Sequence, residues 1–331
     1  MSHVSHDESN HNVVHVFGPA SLSNLGPGFD SLGLCISGIG DVIEARLSDT
    51  AGIRLEHDPG IVSWVLPANP KLNTAVIAAE RVLELLGSDR GLAFKLKKGI
   101  PLGSGIGGSA ASAVAGAWAA NVLMGCPLAK EDLVEAVLDA EDVASGGRHG
   151  DNGLPALLGG LVLVSSSNPS RYRRVALPDD LHIAILLPDV EVLTRQAREM
   201  LPEQVPLRDA VHNASELAFL VDAYRCGDWE TVGHCMMQDR LVEPIRARLV
   251  PCYPSVRRAA MEAGAFGCAL TGSGPAMFAL AATEADAAAV RDAMVDASLS
   301  DGIDARGVLA SANADGVAEM SVRRAVEPVE L

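Results

Sequence analysis

The run Pro101-Leu-Gly-Ser-Gly-Ile-Gly-Gly-Ser-Ala110 sets Gly103, Gly105, Gly107 and Gly108 between a strand-like segment and a long apolar helix beginning near Ser109. Glycine lets backbone N–H groups approach an anion with no side chain in the way. A helix N-terminus adds unpaired N–H groups and a partial positive charge. Together they form a cradle for phosphate, and the chemistry indicated is phosphoryl transfer. The same glycines would also suit a merely flexible loop, so the surrounding elements matter.

The familiar phosphate loops do not fit. Gly103, Gly105 and Gly108 match G-x-G-x-x-G, but the dinucleotide fold needs an acidic residue at a strand end about 20 residues on. This chain has the turn Gly125-Cys-Pro-Leu-Ala-Lys130 there. No lysine follows the glycines as in a Walker A loop. The His-Arg-Asp and Asp-Phe-Gly of protein kinases are absent. The phosphate therefore sits in some other fold.

Around the loop, Val13–Phe17 reads as a strand ending at Gly18-Pro19, and Asp41–Leu47 as a second strand by its alternation. Ala75–Leu86 has helical spacing and stops at Gly87. Ala93–Lys97 reads as a strand. Ser109–Met124 is nearly all small or apolar, which predicts a buried helix. Lys130–Ala144 reads as an amphipathic helix and Leu158–Val164 as a buried strand. Ser165-Ser-Ser-Asn-Pro169 is the expected linker. The second half restarts with the strand His182–Leu187. Helices follow around Thr194–Met200, Arg208–Arg225 and Pro254–Ala263. Two apolar runs then flank the glycine turn within Cys268–Leu280, before a helix over Glu284–Ala297 and a strand near Gly307–Ser311. The pattern is α+β without a regular βαβ repeat. It divides into a disordered tail (1–12), an N-terminal domain (13–168) and a C-terminal domain (169–331).

A length of 331 residues fits two domains. With 48% apolar but only 4% aromatic residues, the core must come from Ala, Val, Leu and Ile. A net charge of −16 speaks against nucleic acid and anionic membrane as partners. The six cysteines show no C-x-x-C, so buried reduced thiols in a cytoplasmic protein are expected. No apolar stretch reaches the roughly 18 residues that span a bilayer. The polar start, with His3, His6 and His11, lacks the apolar core of a signal peptide.

Taken together the motifs resemble the GHMP kinases, a family that includes galactokinase, homoserine kinase, mevalonate kinase and phosphomevalonate kinase. Pro101–Ala111 resembles the family's phosphate motif P-x-x-x-G-L-G-S-S-A-A, with Ile106 for Leu and Gly108 for the first Ser. Leu270-Thr-Gly-Ser-Gly-Pro-Ala-Met277 resembles its C-terminal glycine motif, which folds back toward the phosphates. Pro19-Ala-Ser-Leu-Ser-Asn-Leu-Gly-Pro-Gly-Phe-Asp30 resembles its N-terminal motif. His149-Gly-Asp-Asn152 followed by Pro155-Ala-Leu-Leu-Gly-Gly160 is similar to the homoserine-type form H-A-D-N-x-x-P-A-x-x-G-G. The resemblance spans roughly residues 13 to 320. It implies a GHMP kinase fold, with an N-terminal ribosomal-protein-S5-domain-2-like domain and a C-terminal ferredoxin-like α+β domain. It further implies ATP as co-substrate, Mg²⁺ as cofactor, and L-homoserine as acceptor in a step toward threonine. Enzymes of this kind are often homodimers.

The resemblance assigns roles residue by residue. ATP would meet Pro101, Leu102, Gly103, Ser104, Gly105, Ile106, Gly107, Gly108, Ser109, Ala110 and Ala111, then Gly272, Ser273 and Gly274, with Asn69 near the adenine. Ser109 and Glu141 would hold the metal. A zwitterionic acceptor calls for forked arginine contacts to its carboxylate and a carboxylate for its ammonium. By resemblance these are Arg198 and Arg246, and Asp30. Asn24 and Asn152 would orient the hydroxyl beside Asp151, with Asp151 and Asn152 the catalytic pair. No lysine in the sequence stands out as partner to Asp30 or Asp151, and the resemblance implies no dedicated base. Two alternatives stay open at this point. One is a relative acting on another alcohol, such as mevalonate or a sugar; the other is a relative that binds without catalysing.

Overall fold

The computed structural model describes residues 13–58, 72–178 and 181–320. Asn69 and the His-containing tail lie outside them. Two strands, β1 (Val14–Asn24) and β2 (Gly28–Ser48), form a long antiparallel hairpin. Both run further than their periodicity suggests. Gly18-Pro19 does not end β1: a register shift between Pro19 and Ser21 absorbs it, and pairing continues to Asn24. A bulge takes up a proline without ending the ladder. The turn after it holds Asn24, Leu25 and Asp30 at positive φ (69°, 51° and 53°). Non-glycine residues in sparse backbone regions cost roughly 1–3 kcal/mol each, and such strain gathers at functional sites.

The rest of this first sheet follows from pairing to β2. Strand β3 (Ile53–Asp58) lies parallel to β4 (Gly91–Lys97), and β4 lies antiparallel to β2. Strand β5 (Leu161–Ser165) pairs with both β2 and β6 (Asn168–Val175). Helices α1 (Thr74–Leu85), α2 (Gly108–Leu123), α3 (Val134–Ser145) and α4 (Gly150–Leu158) pack on the sheet and on one another. Small residues bring α2 close to α1. A Cβ on Gly116 would lie 2.1 Å from the Ala75 carbonyl oxygen, so only glycine fits.

The second sheet has four antiparallel strands: β7 (His182–Pro188), β8 (Gly267–Leu270), β9 (Met277–Ala281) and β10 (Ala305–Ser311). Their order, β10-β7-β9-β8, is that of a ferredoxin-like split βαβ unit. Between β7 and β8 come α5 (Thr194–Glu199), α6 (Leu207–Cys226), α7 (Trp229–Met236), α8 (Glu243–Arg246) and α9 (Tyr253–Glu262). Helix α10 (Glu284–Ser300) links β9 to β10, and the short β11 (Ala318–Glu319) returns to pair with β1. The expected linker at 165–169 is instead the β5–β6 hairpin turn, and the first sheet continues through β6 to Val175 before the second begins at His182. Ser, Asn and Pro serve a hairpin turn as well as a linker, so composition could not separate them.

One hydrophobic cluster joins Leu22, Leu25 and Leu34 of the first sheet's hairpin to Ile183, Ile185 and Phe278 of the second sheet. Among the six cysteines, Cys35, Cys235, Cys252 and Cys268 are buried, but Cys126 and Cys226 are exposed. Cys126 and Cys226 sit at or just beyond helix ends, where solvent reaches them, which sequence spacing does not reveal. No described helix is long and apolar enough to cross a membrane.

Candidate active site

A cleft of about 490 Å³ opens between the two sheets' loops. Its floor on one side is the glycine run. Residues Pro101 to Gly105 and Gly107 to Ser109 line it, while Ile106, Ala110 and Ala111 are fully buried and anchor the loop in the core. Gly107 is the N-cap of α2 at φ 71°, so the first N–H groups of the helix are presented at the cleft. The run departs from the family pattern at Gly108. A Cβ there would meet only side-chain atoms, Ile100 Cγ2 at 3.1 Å and Lys98 Nζ at 3.6 Å, which can shift to admit it.

The second glycine turn closes onto the first. The Thr271 hydroxyl donates to the Gly105 carbonyl at 3.2 Å, and Ala276 N–H donates to the Ser104 carbonyl at 3.1 Å. Thr271 Oγ1 also accepts from Ser23 N–H at 3.0 Å. Gly272 and Ser273 line the cleft; Gly274, at φ 81°, shapes the turn behind them. The Ser104 hydroxyl is buried with no hydrogen-bond partner among the described residues, an orphan donor at the cleft wall.

Beneath the loop, buried Asp41 accepts hydrogen bonds from Gly99 N–H (3.1 Å), Ile100 N–H (3.3 Å) and the Ser112 hydroxyl (2.6 Å), and pairs with Lys98. Lys98 also donates to the Gly108 carbonyl at 2.9 Å. A buried ion pair is tolerated when its remaining bonds are satisfied. Here they tie the start of α2 to β2. Ser109 Oγ donates to Glu141 Oε2 at 3.3 Å, bringing a hydroxyl and a carboxylate together beside the phosphate cradle. Burial pushes the Glu141 carboxyl up to about 7. A buried acid that resists ionisation by itself is suited to a cation, and hard oxygens are what Mg²⁺ prefers.

The opposite wall is built from side chains. Helix α4 begins after His149, so Asp151 and Asn152 fall in its first turn. Asn152 donates to Ser23 Oγ and accepts from Ser21 Oγ, both at 3.0 Å. Asp151 is buried at the cleft, and desolvation followed by the charge of Asp30 pushes its carboxyl up to about 7. Asn24 spends both ends of its amide on backbone, donating to Gly272 O at 2.9 Å and accepting from Asp30 N–H at 3.3 Å. Arg198 forms a bidentate pair with Asp30, both bonds 2.9 Å. His149 Nδ1 lies 3.7 Å from the same carboxylate, and burial holds the imidazole below its ordinary value.

Arg246 is different. It is 3% exposed, yet among the described residues no carboxylate lies within 4 Å of it. One terminal nitrogen donates to Gly272 O at 2.8 Å, and Nε has no hydrogen-bond partner among the described residues. Burial, then the nearby Arg198 charge, lowers it to about 10. Both guanidinium groups stand over the ring of Phe29, Arg246 at 4.9 Å and Arg198 at 5.3 Å from its centroid.

Comparison with known proteins agrees with this fold. The model for the GHMP kinases N terminal domain matches residues 73–160, and that for the GHMP kinases C terminal matches residues 217–300. A homoserine kinase from Pyrococcus abyssi is 40% identical over 265 residues, covering 80% of this chain and 86% of the relative. One from Pyrococcus furiosus is 42% identical over 267 residues, covering 81% and 88%. The chain is a GHMP kinase. The crystal structure of homoserine kinase from Cytophaga hutchinsonii superposes with a TM-score of 0.89 at 36% identity, covering 96% of this chain and 100% of that one.

Within this GHMP kinase the fold brings Asp30, Asp151, Asn152, Arg198 and Arg246 to one cleft with Ser109 and Glu141. Sequence reasoning missed Lys98, Asp41, Phe29 and the role of His149, and it missed Thr194, which lines the cleft near Ser273. Lys98 stands three residues before the glycine run, and Phe29 directly before Asp30 inside a quoted motif. Those adjacencies were the only signals.

Proposed function

We propose that this GHMP kinase transfers the γ-phosphoryl group of ATP to the hydroxyl of L-homoserine, giving ADP and O-phospho-L-homoserine in threonine biosynthesis. The observation that carries the acceptor is Arg246, a buried cation with an unpartnered Nε at the cleft. A buried charge needs a counter-charge. A carboxylate-bearing acceptor supplies it, and the homoserine kinase names of the relatives fix which one.

The glycine run and the first turn of α2 hold the phosphates by backbone N–H groups, with Gly272 and Ser273 closing over them. Ser109 and Glu141 would hold Mg²⁺, which would supply positive charge against the phosphates when bound. Arg198 and Arg246 take the acceptor's carboxylate, and Asp30 takes its ammonium. Asp151 and Asn152 orient the hydroxyl toward the γ-phosphorus. The Asn152 amide is fixed by Ser21 and Ser23, so little orientational freedom is lost on binding. Asp151, ionised above about pH 7, accepts the hydroxyl's hydrogen bond. Negative charge developing on the transferring group meets N–H donors already in place. Asn24, expected to orient the hydroxyl, instead spends both ends of its amide holding the C-terminal glycine turn against the N-terminal hairpin. We further place the enzyme in the cytoplasm, as a homodimer.

A coupled ADP-release assay with Mg-ATP tests this, offering L-homoserine, mevalonate and galactose in parallel. Turnover confined to homoserine, lost in Glu141→Ala, supports the reading. Turnover on another alcohol sinks the acceptor assignment, and absence of Mg-ATP binding sinks the kinase reading itself.

A further inference from the structure

The groups expected to receive the acceptor's two charges are already bound to each other. Both oxygens of Asp30 and both terminal nitrogens of Arg198 are taken up by their bidentate pair. The pair is part-buried, with side-chain exposure of 38% for Arg198 and 17% for Asp30, so water does not fully screen it. Asp30 sits at φ 53°, in a turn clasped by Asn24 and Gly272, which fixes where its carboxylate points. Arg198 rests on Phe29, so its guanidinium keeps a platform when the carboxylate lets go. Arg246 shares that ring and, among the described residues, has no carboxylate within 4 Å.

We propose that the Asp30–Arg198 ion pair is the resting occupant of the acceptor-head subsite, and that a zwitterion enters by exchanging with it. The inference rests on the homoserine reading above. In the exchange the incoming carboxylate takes Arg198 and Arg246 while the ammonium takes Asp30. Every charge then has a partner, and Arg246 gains the one it lacks. A ligand with only one of the two charges cannot complete the exchange. A hydroxy acid without an ammonium strands Asp30 if it wins Arg198; an amino alcohol without a carboxylate strands Arg198 beside Arg246. The pair thus acts as an internal competitor that rejects half-ligands, which is specificity by repulsion as much as by attraction.

The idea predicts crossed gains. In Asp30→Asn the internal competitor of Arg198 is gone, so kcat/KM for 4-hydroxybutanoate rises about tenfold while that for L-homoserine falls. In Arg198→Met the competitor of Asp30 is gone, so 3-aminopropan-1-ol gains about tenfold while homoserine again falls. Asparagine tolerates positive φ, so the turn at position 30 is preserved. The KM for ATP, measured for both variants, stays within about twofold if the fold is intact. Gains in both crossed pairs support the exchange. If each variant loses homoserine and both half-ligands in parallel, with its ATP KM unchanged, the exchange is overturned and the ion pair is only structural. Absence of homoserine turnover by the unmutated protein overturns the functional reading, and this proposal with it.

Discussion

The two walls of the cleft are made of different materials. The phosphate wall is mostly backbone: glycines, a helix N-terminus and a second glycine turn, joined by the Ala276 N–H to the Ser104 carbonyl and by the Thr271 hydroxyl to the Gly105 carbonyl. The acceptor wall is side chain: Asp30, Arg198, Arg246, and the neighbours Asp151 and Asn152, drawn from four separate places in the chain. A backbone cradle recognises a group common to every nucleotide, and it tolerates change wherever the φ angles survive. A side-chain wall recognises one acceptor, and each member depends on the others' charges. Under the proposed function, selectivity for the acceptor resides in one wall, and the capacity for phosphoryl transfer in the other.

The comparison is tested most strongly at Arg246. Arg246→Met should raise KM for L-homoserine about 100-fold, the scale of losing charge-assisted hydrogen bonds at a buried site, while KM for ATP moves less than about threefold. Steady-state kinetics with each substrate varied in turn would check it. Next is Gly103→Val. A β-branched residue at φ 67° strains the loop without meeting the acceptor wall, since its Cβ has only Val192 O within 4 Å, at 3.7 Å. KM for ATP should rise about 20-fold and that for homoserine stay level.

A smaller effect sharpens the picture of the acceptor wall. Phe29→Leu keeps apolar bulk but removes the ring under both arginines. It should raise homoserine KM about fivefold, and Phe29→Tyr should restore it.

A further effect, outside both walls, concerns stability. Glu243 stands one turn before Arg246 in α8, is buried, and accepts from the Tyr253 hydroxyl. Burial raises its pKa from 4.5 to about 7. The folded chain therefore holds this proton more tightly than the unfolded one. The stability it contributes is full below about pH 4.5 and is lost as pH rises through about 7. Melting curves between about pH 5.5 and 7.5 should fall less steeply for Glu243→Gln, by an amount on the order of 2 kcal/mol across the window.

The difference between the walls also governs what the sequence reveals. Four glycines in six residues before an apolar helix have few other uses, so the phosphate wall was legible from local composition. Helix and strand positions near it were legible too, because Ala75–Leu86 and Ser109–Met124 bury one face or all faces at helical spacing. The acceptor wall was legible only through resemblance. Arg198 and Arg246 each look like ordinary surface residues until the fold sets both on Phe29. The Lys98–Asp41 pair under the loop was invisible because its members lie 57 positions apart and meet only through the β2–β4 pairing. The length of β1 was hidden by Gly18-Pro19, where tertiary pairing overrides a local break. The ion pair between Asp30 and Arg198 could not be read at all, since nothing in either local sequence names its partner.

The most direct test of this division is to measure both Michaelis constants for Gly103→Val and Arg246→Met in one coupled assay. The account predicts a crossed pattern: Gly103→Val weakens ATP and spares homoserine, and Arg246→Met weakens homoserine and spares ATP. Parallel losses for both substrates in both variants would contradict it, and would mean that the two walls act as a single unit.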